Sequence, residues 1–169
     1  MLKPTSPIIN IHLPIPVESS SVMAMTTVQQ LLAQKGGGVL SAGPDDTVYD
    51  AIKKMADENV GSLVVLEHGK LIGIITERHY SRNVFLKGRS SPQTRVAEIM
   101  ERDVVCVHPS QSVDVCMALM NAKRVRHLPV IDDGTLLGIV SIGDLVKSII
   151  SDREFSIEQL EHYIHGIGT

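Results

Sequence analysis

The chain contains two copies of one unit. Ser41 to Tyr80 align with Cys106 to Leu145 at a constant offset of 65 residues and without a gap. The identical pairs include Pro44 and Pro109, Met55 and Met120, Val65 and Val130, Gly69 and Gly134, and Gly73 and Gly138. Two copies of one unit commonly share a core about a pseudo-two-fold axis, so the cleft between them presents equivalent groups twice. The repeat therefore predicts a paired ligand site.

The composition is that of an ordinary globular protein. The chain has 169 residues, of which 43% are hydrophobic, and a formal net charge of -3. These values fit one compact domain, or two half-domains that share a core, and they exclude a disordered chain. Neither the charge nor the 3% aromatic content favours binding to nucleic acid or to a membrane surface. No apolar run reaches the ~18 residues that span a membrane.

The two cysteines, Cys106 and Cys116, show no spacing typical of a metal site or of a disulfide framework. We expect both to be buried free thiols. Free thiols fit a reducing compartment, so we expect a cytoplasmic protein.

Four segments follow one another along the chain. Residues 1–22 are rich in proline and lack the features of a secretory or transit signal, so we predict an extended or disordered tail. A start at Met23 or Met25 is an alternative interpretation of this tail, and contact with a partner is another. Residues 23–92 and 93–150 hold the two copies, each with a leading helix. Residues 151–169 form an amphipathic helix and tail.

Each copy is predicted to run strand, helix, strand, strand, helix, which gives a mixed α/β fold. The predicted strands of the first copy are Val39 to Ala42, Ser62 to Leu66 and Leu71 to Ile75, and the first strand of the second copy is Val104 to Val107. The predicted helices begin after Asp46 or Thr47, at Glu77, after Ser112 and at Ile142, with leading helices at Thr26 to Lys35 and Val96 to Met100 and a final helix at Ser156 to Ile164. His68-Gly69 and Asp133-Gly134 are typical of tight hairpin turns.

Each copy places a hydroxyl residue where its third strand meets a helix, namely Thr76 and Ser141. The hydroxyl can cap the helix, and the free backbone N–H groups there favour an anion. Three residues later, Asp144 lies about one helical turn on. A carboxylate at that point can accept hydrogen bonds from two vicinal hydroxyls, as in ribose. The pattern therefore predicts a ribonucleotide clamp, although Ser141 could serve as a helix cap only.

The doubled unit, the Gly-x-x-Thr/Ser-x-x-Asp run and the stretch Arg126-His127-Leu128-Pro129-Val130 resemble a tandem pair of cystathionine-β-synthase (CBS) domains. The resemblance covers Thr26 to Ile150. It implies two pseudo-symmetric β-α-β-β-α motifs packed as one module. The usual ligands of the family are AMP, ADP, ATP, NAD and S-adenosylmethionine, so one of these is expected as a regulatory ligand.

The resemblance also implies roles for individual residues. Ribose contacts are expected from Asp144 and, at the matching position of the first copy, His79. Phosphate contacts are expected from Thr76, Arg78, Ser141, Arg126 and His127, although a solvated helix end is an alternative interpretation of the basic run at 123–126. Contacts with the base are expected from Ser41, Val60, Cys106, Val107, Val125, Leu128 and Pro129. No catalytic residue or metal ligand is expected.

The first copy departs from the family pattern because it has His79 where a carboxylate is usual. A neutral imidazole accepts only one hydrogen bond, so it cannot hold both ribose hydroxyls. This leaves two interpretations: a weakened site, or a site for a larger ligand whose phosphate meets His79.

We therefore expect a non-enzymatic regulatory module that binds an adenosine nucleotide, forms a homodimer and signals to an unidentified partner protein. No Ser/His/Asp order, metal cluster or phosphate-binding GxxxxGK[ST] motif is present in the sequence. The alternative is a dimeric adaptor module that senses no ligand.

Overall fold

The computed structural model describes residues 26–166, and side chains as far as residue 162. The predicted tail at residues 1–22 lies outside the described residues, and so does the end of the predicted C-terminal tail. The helices are α1 (Val28–Lys35), α2 (Val48–Asp57), α3 (Glu77–Tyr80), α4 (Val113–Lys123) and α5 (Ile142–Gly166). The strands are β1 (Ser41–Ala42), β2 (Ser62–Glu67), β3 (Lys70–Thr76), β4 (His127–Asp132) and β5 (Thr135–Ser141).

The predicted strand-helix-strand-strand-helix order is confirmed in the first copy. Strand β1 pairs in parallel with β2, and β2 pairs with β3 in an antiparallel hairpin. The helix between β1 and β2 makes the crossover that a parallel pair requires. Helix α3 continues as a π-helical turn at Ser81–Phe85, so the predicted helix to Leu86 is α-helical only over its first four residues.

The second copy repeats the hairpin, but its predicted first strand at Val104 to Val107 is wrong. The segment makes isolated bridges rather than a strand: Val107 bridges in parallel to Val130, and Val105 lies in a second isolated bridge. The reason lies in Pro129, which has no N–H to donate to Val105. In the first copy, the N–H at the matching position, that of Val64, donates to the Leu40 carbonyl over 3.3 Å.

Two predicted helices also differ from the structure. The second leading helix is only a 3₁₀ turn at Val96–Glu98. The separate final helix at Ser156 to Ile164 is wrong, because α5 runs on without a break from Ile142. No glycine or proline lies between residues 144 and 162, so nothing in that stretch stops the helix.

Local sequence signals set the ends of the helices. The Thr27, Thr47 and Ser112 hydroxyls accept hydrogen bonds from backbone N–H groups in the first turns of α1, α2 and α4. These bonds satisfy N–H groups that have no partner within the helix. The predicted caps at Thr47 and Ser112 are therefore confirmed, and Thr27 rather than Thr26 caps α1.

The segment that precedes each copy, which we call its leading segment, packs in the core of the other copy. Val28 and Leu31 of α1 are buried in the core of the second copy, whereas Val96 and Met100 are buried in the core of the first. This exchange brings the end of α1 to β5 and α5, and it brings the segment after Val96 to β3. Each cleft is therefore built from both copies.

The glycine in each third strand allows the leading segments to pass. A Cβ on Gly73 would lie 2.7 Å from the Met100 Sδ and 2.9 Å from the Glu101 carbonyl oxygen. A Cβ on Gly138 would lie 2.8 Å from the Leu32 Cδ2. All three distances are shorter than van der Waals contact, so a side chain at either glycine forces a neighbour to move.

We expect the Gly73→Ala substitution to cost more stability than Gly138→Ala. The Glu101 backbone is bonded in both directions to Ile74, at 2.9 and 3.0 Å, and cannot yield, whereas the Leu32 side chain can rotate. Overpacking of this kind costs about 1–3 kcal/mol. Urea denaturation of the two variants measures the difference. Equal losses would contradict this explanation.

Candidate functional site

Two cavities lie between the copies, and a third adjoins the second. The first, which we call the Asp144 cavity, has a volume of about 330 Å³. It is lined by Leu32, Lys35, Gly36, Gly37, Gly38, Leu40, Asn59, Val60, Gly61, Ser62, His127, Leu137, Gly138, Ile139, Ser141 and Asp144. Its volume lies at the lower end of the roughly 300–1,000 Å³ found for small-molecule sites.

The second, the His79 cavity, measures about 530 Å³. It is lined by Gly61, Ile74, Thr76, Glu77, Arg78, His79, Arg82, Asn83, Glu101, Asp103, Val104, Val105, Arg124, Val125, Arg126 and His127. The third, the outer cavity, measures about 830 Å³ and is lined by Arg78, Arg82, Asp114, Met117, Ala118, Met120, Asn121, Arg124, Val125, Arg126 and Ile142.

The Asp144 and His79 cavities are equivalent under the repeat. Many residues that line one cavity have a counterpart 65 positions away in the sequence that lines the other. The matching pairs are Leu40 and Val105, Asn59 and Arg124, Val60 and Val125, Ile139 and Ile74, Ser141 and Thr76, and Asp144 and His79. The structure thus has a pair of cavities with equivalent linings, in which the paired ligand site predicted from the repeat would lie.

Asp144 is held by its own helix turn and by Lys35. Its Oδ2 accepts hydrogen bonds from the Ser141 N–H and from the Lys35 Nζ, both over 2.8 Å, and its own N–H donates to the Ser141 Oγ over 3.2 Å. The Lys35 ammonium also donates to the Ile139 carbonyl over 3.1 Å. Both donors to the Asp144 carboxylate use Oδ2, which leaves Oδ1 as the oxygen that is not engaged by the Lys35 ammonium or the Ser141 N–H.

These contacts keep Asp144 ionised. Burial on its own would raise the pKa of this carboxyl, but the Lys35 ammonium and the Ser141 donors outweigh burial and lower the pKa below its ordinary value. The cavity therefore presents a carboxylate, the form that accepts hydrogen bonds from hydroxyls.

His79 occupies the same place in the other cavity without the charge. Its Nδ1 accepts a hydrogen bond from the Thr76 N–H over 3.2 Å, and its own N–H donates to the Thr76 Oγ1 over 3.3 Å. The imidazole thus replaces a carboxylate as the cap of α3. Burial lowers the pKa of His79, so the ring is neutral near pH 7 with its hydrogen on Nε2.

His127 lines both cavities, at the centre of the cleft. Burial lowers its pKa, and the Lys35 and Arg126 charges lower it further. A histidine with a lowered pKa binds its proton less readily in the folded chain than in the unfolded chain. The unfolded chain therefore takes up more protons as the pH falls below about 6.5, and the folded state loses stability there.

We expect the melting temperature to fall between pH 7.5 and pH 5.5, and His127→Ser to reduce that fall. Serine is the residue at the equivalent position 62. Asp144 keeps its charge in this range because its pKa is lowered. The control is His68→Asn, in the turn between β2 and β3. If His68→Asn reduced the fall as much as His127→Ser did, the burial of His127 would not be its cause.

The structure distributes the sequence-predicted residues between the cavities. Ser141, Asp144 and Val60 line the Asp144 cavity. The others that reach a cavity are Thr76, Arg78, His79, Val125 and Arg126, all of which line the His79 cavity, and His127, which lines both. Asp144 and Val125, expected in one site, therefore face different cavities.

Five residues expected to contact a base line none of the three cavities: Ser41, Cys106, Val107, Leu128 and Pro129. Cys106, Val107 and Leu128 are fully buried in the core, and we do not assign ligand contacts to their side chains. Burial raises the pKa of Cys106 to about 12 and that of Cys116 to about 11, so both are inert thiols.

The sequence reasoning missed Lys35 and Leu40 in the Asp144 cavity, and Arg82 and Arg124 in the His79 cavity. The repeat carried a signal for Leu40, since it lies 65 residues before Val105. Lys35 matches Met100, so the offset did not reveal it. Its position depends on the exchange of the leading segments, which no local pattern shows.

The described part of the chain has neither a cluster of metal-ligating side chains nor a membrane-spanning helix. Within residues 26–166, no group of three or more His, Cys, Asp or Glu side chains is arranged to hold a metal ion. Over the same residues, no helix combines the length and the apolar character needed to cross a membrane.

Comparison with known proteins finds a matching protein family. The family model described as "CBS domain" matches residues 37–84 and 96–151. A relative in Arabidopsis thaliana, the mitochondrial CBS domain-containing protein CBSX3, is 43% identical over 150 residues, which cover 83% of this chain and 73% of that protein.

Solved structures agree with this match. A protein with CBS domains from Burkholderia ambifaria MC40-6 superimposes with a TM-score of 0.73 at 52% identity, over 75% of this chain and 96% of that one. The CBS domain pair of the protein MJ0100 superimposes with a TM-score of 0.67 at 25% identity, over 76% of this chain and 98% of that one. The latter was solved with 5′-methylthioadenosine and S-adenosylmethionine bound.

Proposed function

The chain belongs to the CBS-domain family, and from that premise we propose that it is a non-catalytic regulatory module that binds an adenosine nucleotide in the Asp144 cavity. The observation that carries the proposal is the ionised Asp144 carboxylate, which lines the cavity and whose Oδ1 is not engaged by the Lys35 ammonium or the Ser141 N–H. AMP, ADP, ATP and NAD share a ribose diol, and such an oxygen can accept hydrogen bonds from its hydroxyls. The adenosine ligands of the MJ0100 domain pair support this class of molecule.

Within the cavity, each part of a nucleotide meets a group of suitable chemistry. The ribose hydroxyls bond to Asp144. The base packs against Leu40 and Val60, the apolar side chains that the first copy contributes. The sugar phosphate lies toward Ser141 and His127, at the centre of the cleft.

Lys35 is the counter-ion of this site. An isolated buried carboxylate is costly, and the Lys35 ammonium at 2.8 Å offsets that cost while the cavity is empty. The side chain is about 38% exposed, so it can turn toward a ligand phosphate without leaving the cavity rim. Lys35 then reinforces binding of phosphorylated ligands over the free nucleoside.

A thermal-shift series with AMP, ADP, ATP, NAD and S-adenosylmethionine tests the proposal. A ligand present at about 100 times its Kd adds about 2.7 kcal/mol of stability. For a chain of this size, that is a rise in melting temperature of roughly 5–11 °C. We expect at least one of the five to give such a rise. If none changes the melting temperature at millimolar concentration, the adaptor alternative replaces the sensor.

We also propose that the module acts as a homodimer that signals to a separate protein. Phe85 and Leu86 at the end of the first copy are 68% and 74% exposed, and Val146 and Ile150 at the matching end of the second are 43% and 51% exposed. Apolar side chains at these levels of exposure are typical of an interface. Light scattering in dilute solution measures the mass directly, and the mass of one chain would contradict the dimer.

The cellular location remains a proposal. We place the protein in the cytoplasm because its two cysteines are free thiols. The name of the Arabidopsis relative assigns that protein to mitochondria. Cell fractionation with detection of the native chain decides between the two compartments.

A further inference from the structure

Four arginines form the boundary between the His79 cavity and the outer cavity. Arg78, Arg82, Arg124 and Arg126 line both cavities. The first two lie at the start of α3 and in the π-helical turn that follows it, and the other two lie between α4 and β4. The two pairs meet where the Arg78 Nη1 donates to the Arg124 carbonyl over 3.4 Å.

None of these four side chains forms a salt bridge within the described residues. Other arginines of the chain do have acidic partners, such as Arg89 with Glu98 and Arg95 with Asp45. Like charges gathered around a cavity repel each other, and an anion between them removes the repulsion. The four arginines are exposed and together present positive charge to an anion that enters either cavity.

The acidic residues are divided between the two cavities. Glu77, Glu101 and Asp103 line only the His79 cavity, and Asp114 lines only the outer cavity. The arginines are thus the charged residues that line both cavities, and an anion that extends from one cavity into the other passes their guanidinium groups.

The Asp144 cavity has no such feature. The positions equivalent to the four arginines hold Gly143, Lys147, Asn59 and Gly61. Of these, only Asn59 and Gly61 line the Asp144 cavity. The two cavities therefore differ in two respects: Asp144 in one is replaced by His79 in the other, and only the His79 cavity is lined by arginines.

His79 suits the same anion. Its Nδ1 is engaged by the Thr76 N–H, so the neutral ring offers Nε2–H as a donor. A donor can bond to a phosphate oxygen, whereas the pair of ribose hydroxyls needs an acceptor such as the carboxylate that the other copy has at the equivalent position, Asp144. Guanidinium groups bind phosphate oxygens with two parallel hydrogen bonds each.

We propose that the His79 cavity binds a chain of two or more phosphates, which runs through the arginine wall into the outer cavity and is held by its phosphates rather than by a ribose. The ligand is a nucleoside di- or triphosphate or a free polyphosphate. The module then reads two signals: a ribonucleotide at Asp144 and a polyphosphate at His79. This inference rests on the proposed function for the premise that the clefts are ligand sites.

Titration calorimetry with inorganic tripolyphosphate tests the proposal, because this probe has no ribose and no base. The test variant is Arg124→Asn. Arg124 has a φ of 55°, and Asn59 at the equivalent position has a φ of 53°, so asparagine fits this backbone. The control is Arg153→Asn, which removes the same charge from an exposed position on α5 that lines none of the cavities.

We expect tripolyphosphate to bind the native protein, Arg124→Asn to weaken it by about tenfold, and Arg153→Asn to change it less than about twofold. Adding ATP as a competitor distinguishes the sources: displacement indicates a nucleoside triphosphate, and no displacement indicates a free polyphosphate. No binding of tripolyphosphate, or equal effects of the two substitutions, overturns the proposal. AMP binding at Asp144 is unaffected by Arg124→Asn, so failure here is distinguishable from failure of the proposed function.

Discussion

Replacing Asp144 with asparagine lowers the affinity for AMP by about 10- to 100-fold, because a hydrogen bond to a charged group contributes roughly 1.5–3 kcal/mol. The asparagine oxygen can still accept the hydrogen bond from the Ser141 N–H, so the cap of α5 is kept. What is lost is the negative charge that attracts the ribose hydroxyls. The same substitution leaves the Lys35 ammonium without its ion pair.

The control for this variant lies on the same helix. Asp152 accepts a hydrogen bond from the Thr26 hydroxyl over 2.8 Å, is exposed and lines none of the cavities. Asp152→Asn therefore removes one carboxylate from α5 without touching the site. Titration calorimetry with AMP compares the two. If both variants bound AMP as tightly as the native protein, Asp144 would not be the ribose acceptor.

Replacing His79 with aspartate strengthens AMP binding in the His79 cavity by about 10- to 100-fold, because the new carboxylate can accept hydrogen bonds from the ribose hydroxyls. Aspartate fits the position, since Asp144 makes the same pair of capping hydrogen bonds with Ser141 that His79 makes with Thr76. The new carboxylate also faces four arginines, which stabilise its charge.

The matched control is His68→Asp in the turn between β2 and β3. His68 has a φ of 50°, and its counterpart Asp133 has a φ of 44°, so the exchange is tolerated there as well. Calorimetry counts the sites. We expect the His79→Asp variant to bind a second molecule of AMP and the control to bind no more AMP than the native protein. An unchanged count and affinity would show that the histidine does not weaken the cavity.

The sequence predicted the structure correctly where a local signal and the tertiary structure agree. The repeat predicted two equivalent clefts, and the structure has them. The hairpin turns follow from His68-Gly69 and Asp133-Gly134, whose positive φ values are those of a tight turn. The helix caps at Thr47 and Ser112 are local as well, because each hydroxyl accepts a hydrogen bond from the backbone N–H three residues later.

The sequence was insufficient where the outcome depends on pairing across the fold. Val104 to Val107 have the composition of a strand, but the proline in their partner strand removes the donor. The resemblance implied that Cys106 contacts a base, but its side chain is fully buried in the core. The exchange of the leading segments places Lys35 beside Asp144, and Leu40 lines the same cavity. Contacts between residues more than 100 positions apart leave no periodic trace.

The affinity ratio of AMP to 2′-deoxy-AMP, measured on the native protein and on Asp144→Asn, tests the central claim most directly. If the Asp144 Oδ1 holds the ribose diol, the native protein prefers AMP by about tenfold, since one charge-assisted hydrogen bond is lost with the 2′-hydroxyl. The Asp144→Asn variant then binds the two ligands alike. A native protein that binds both ligands equally well would contradict the account.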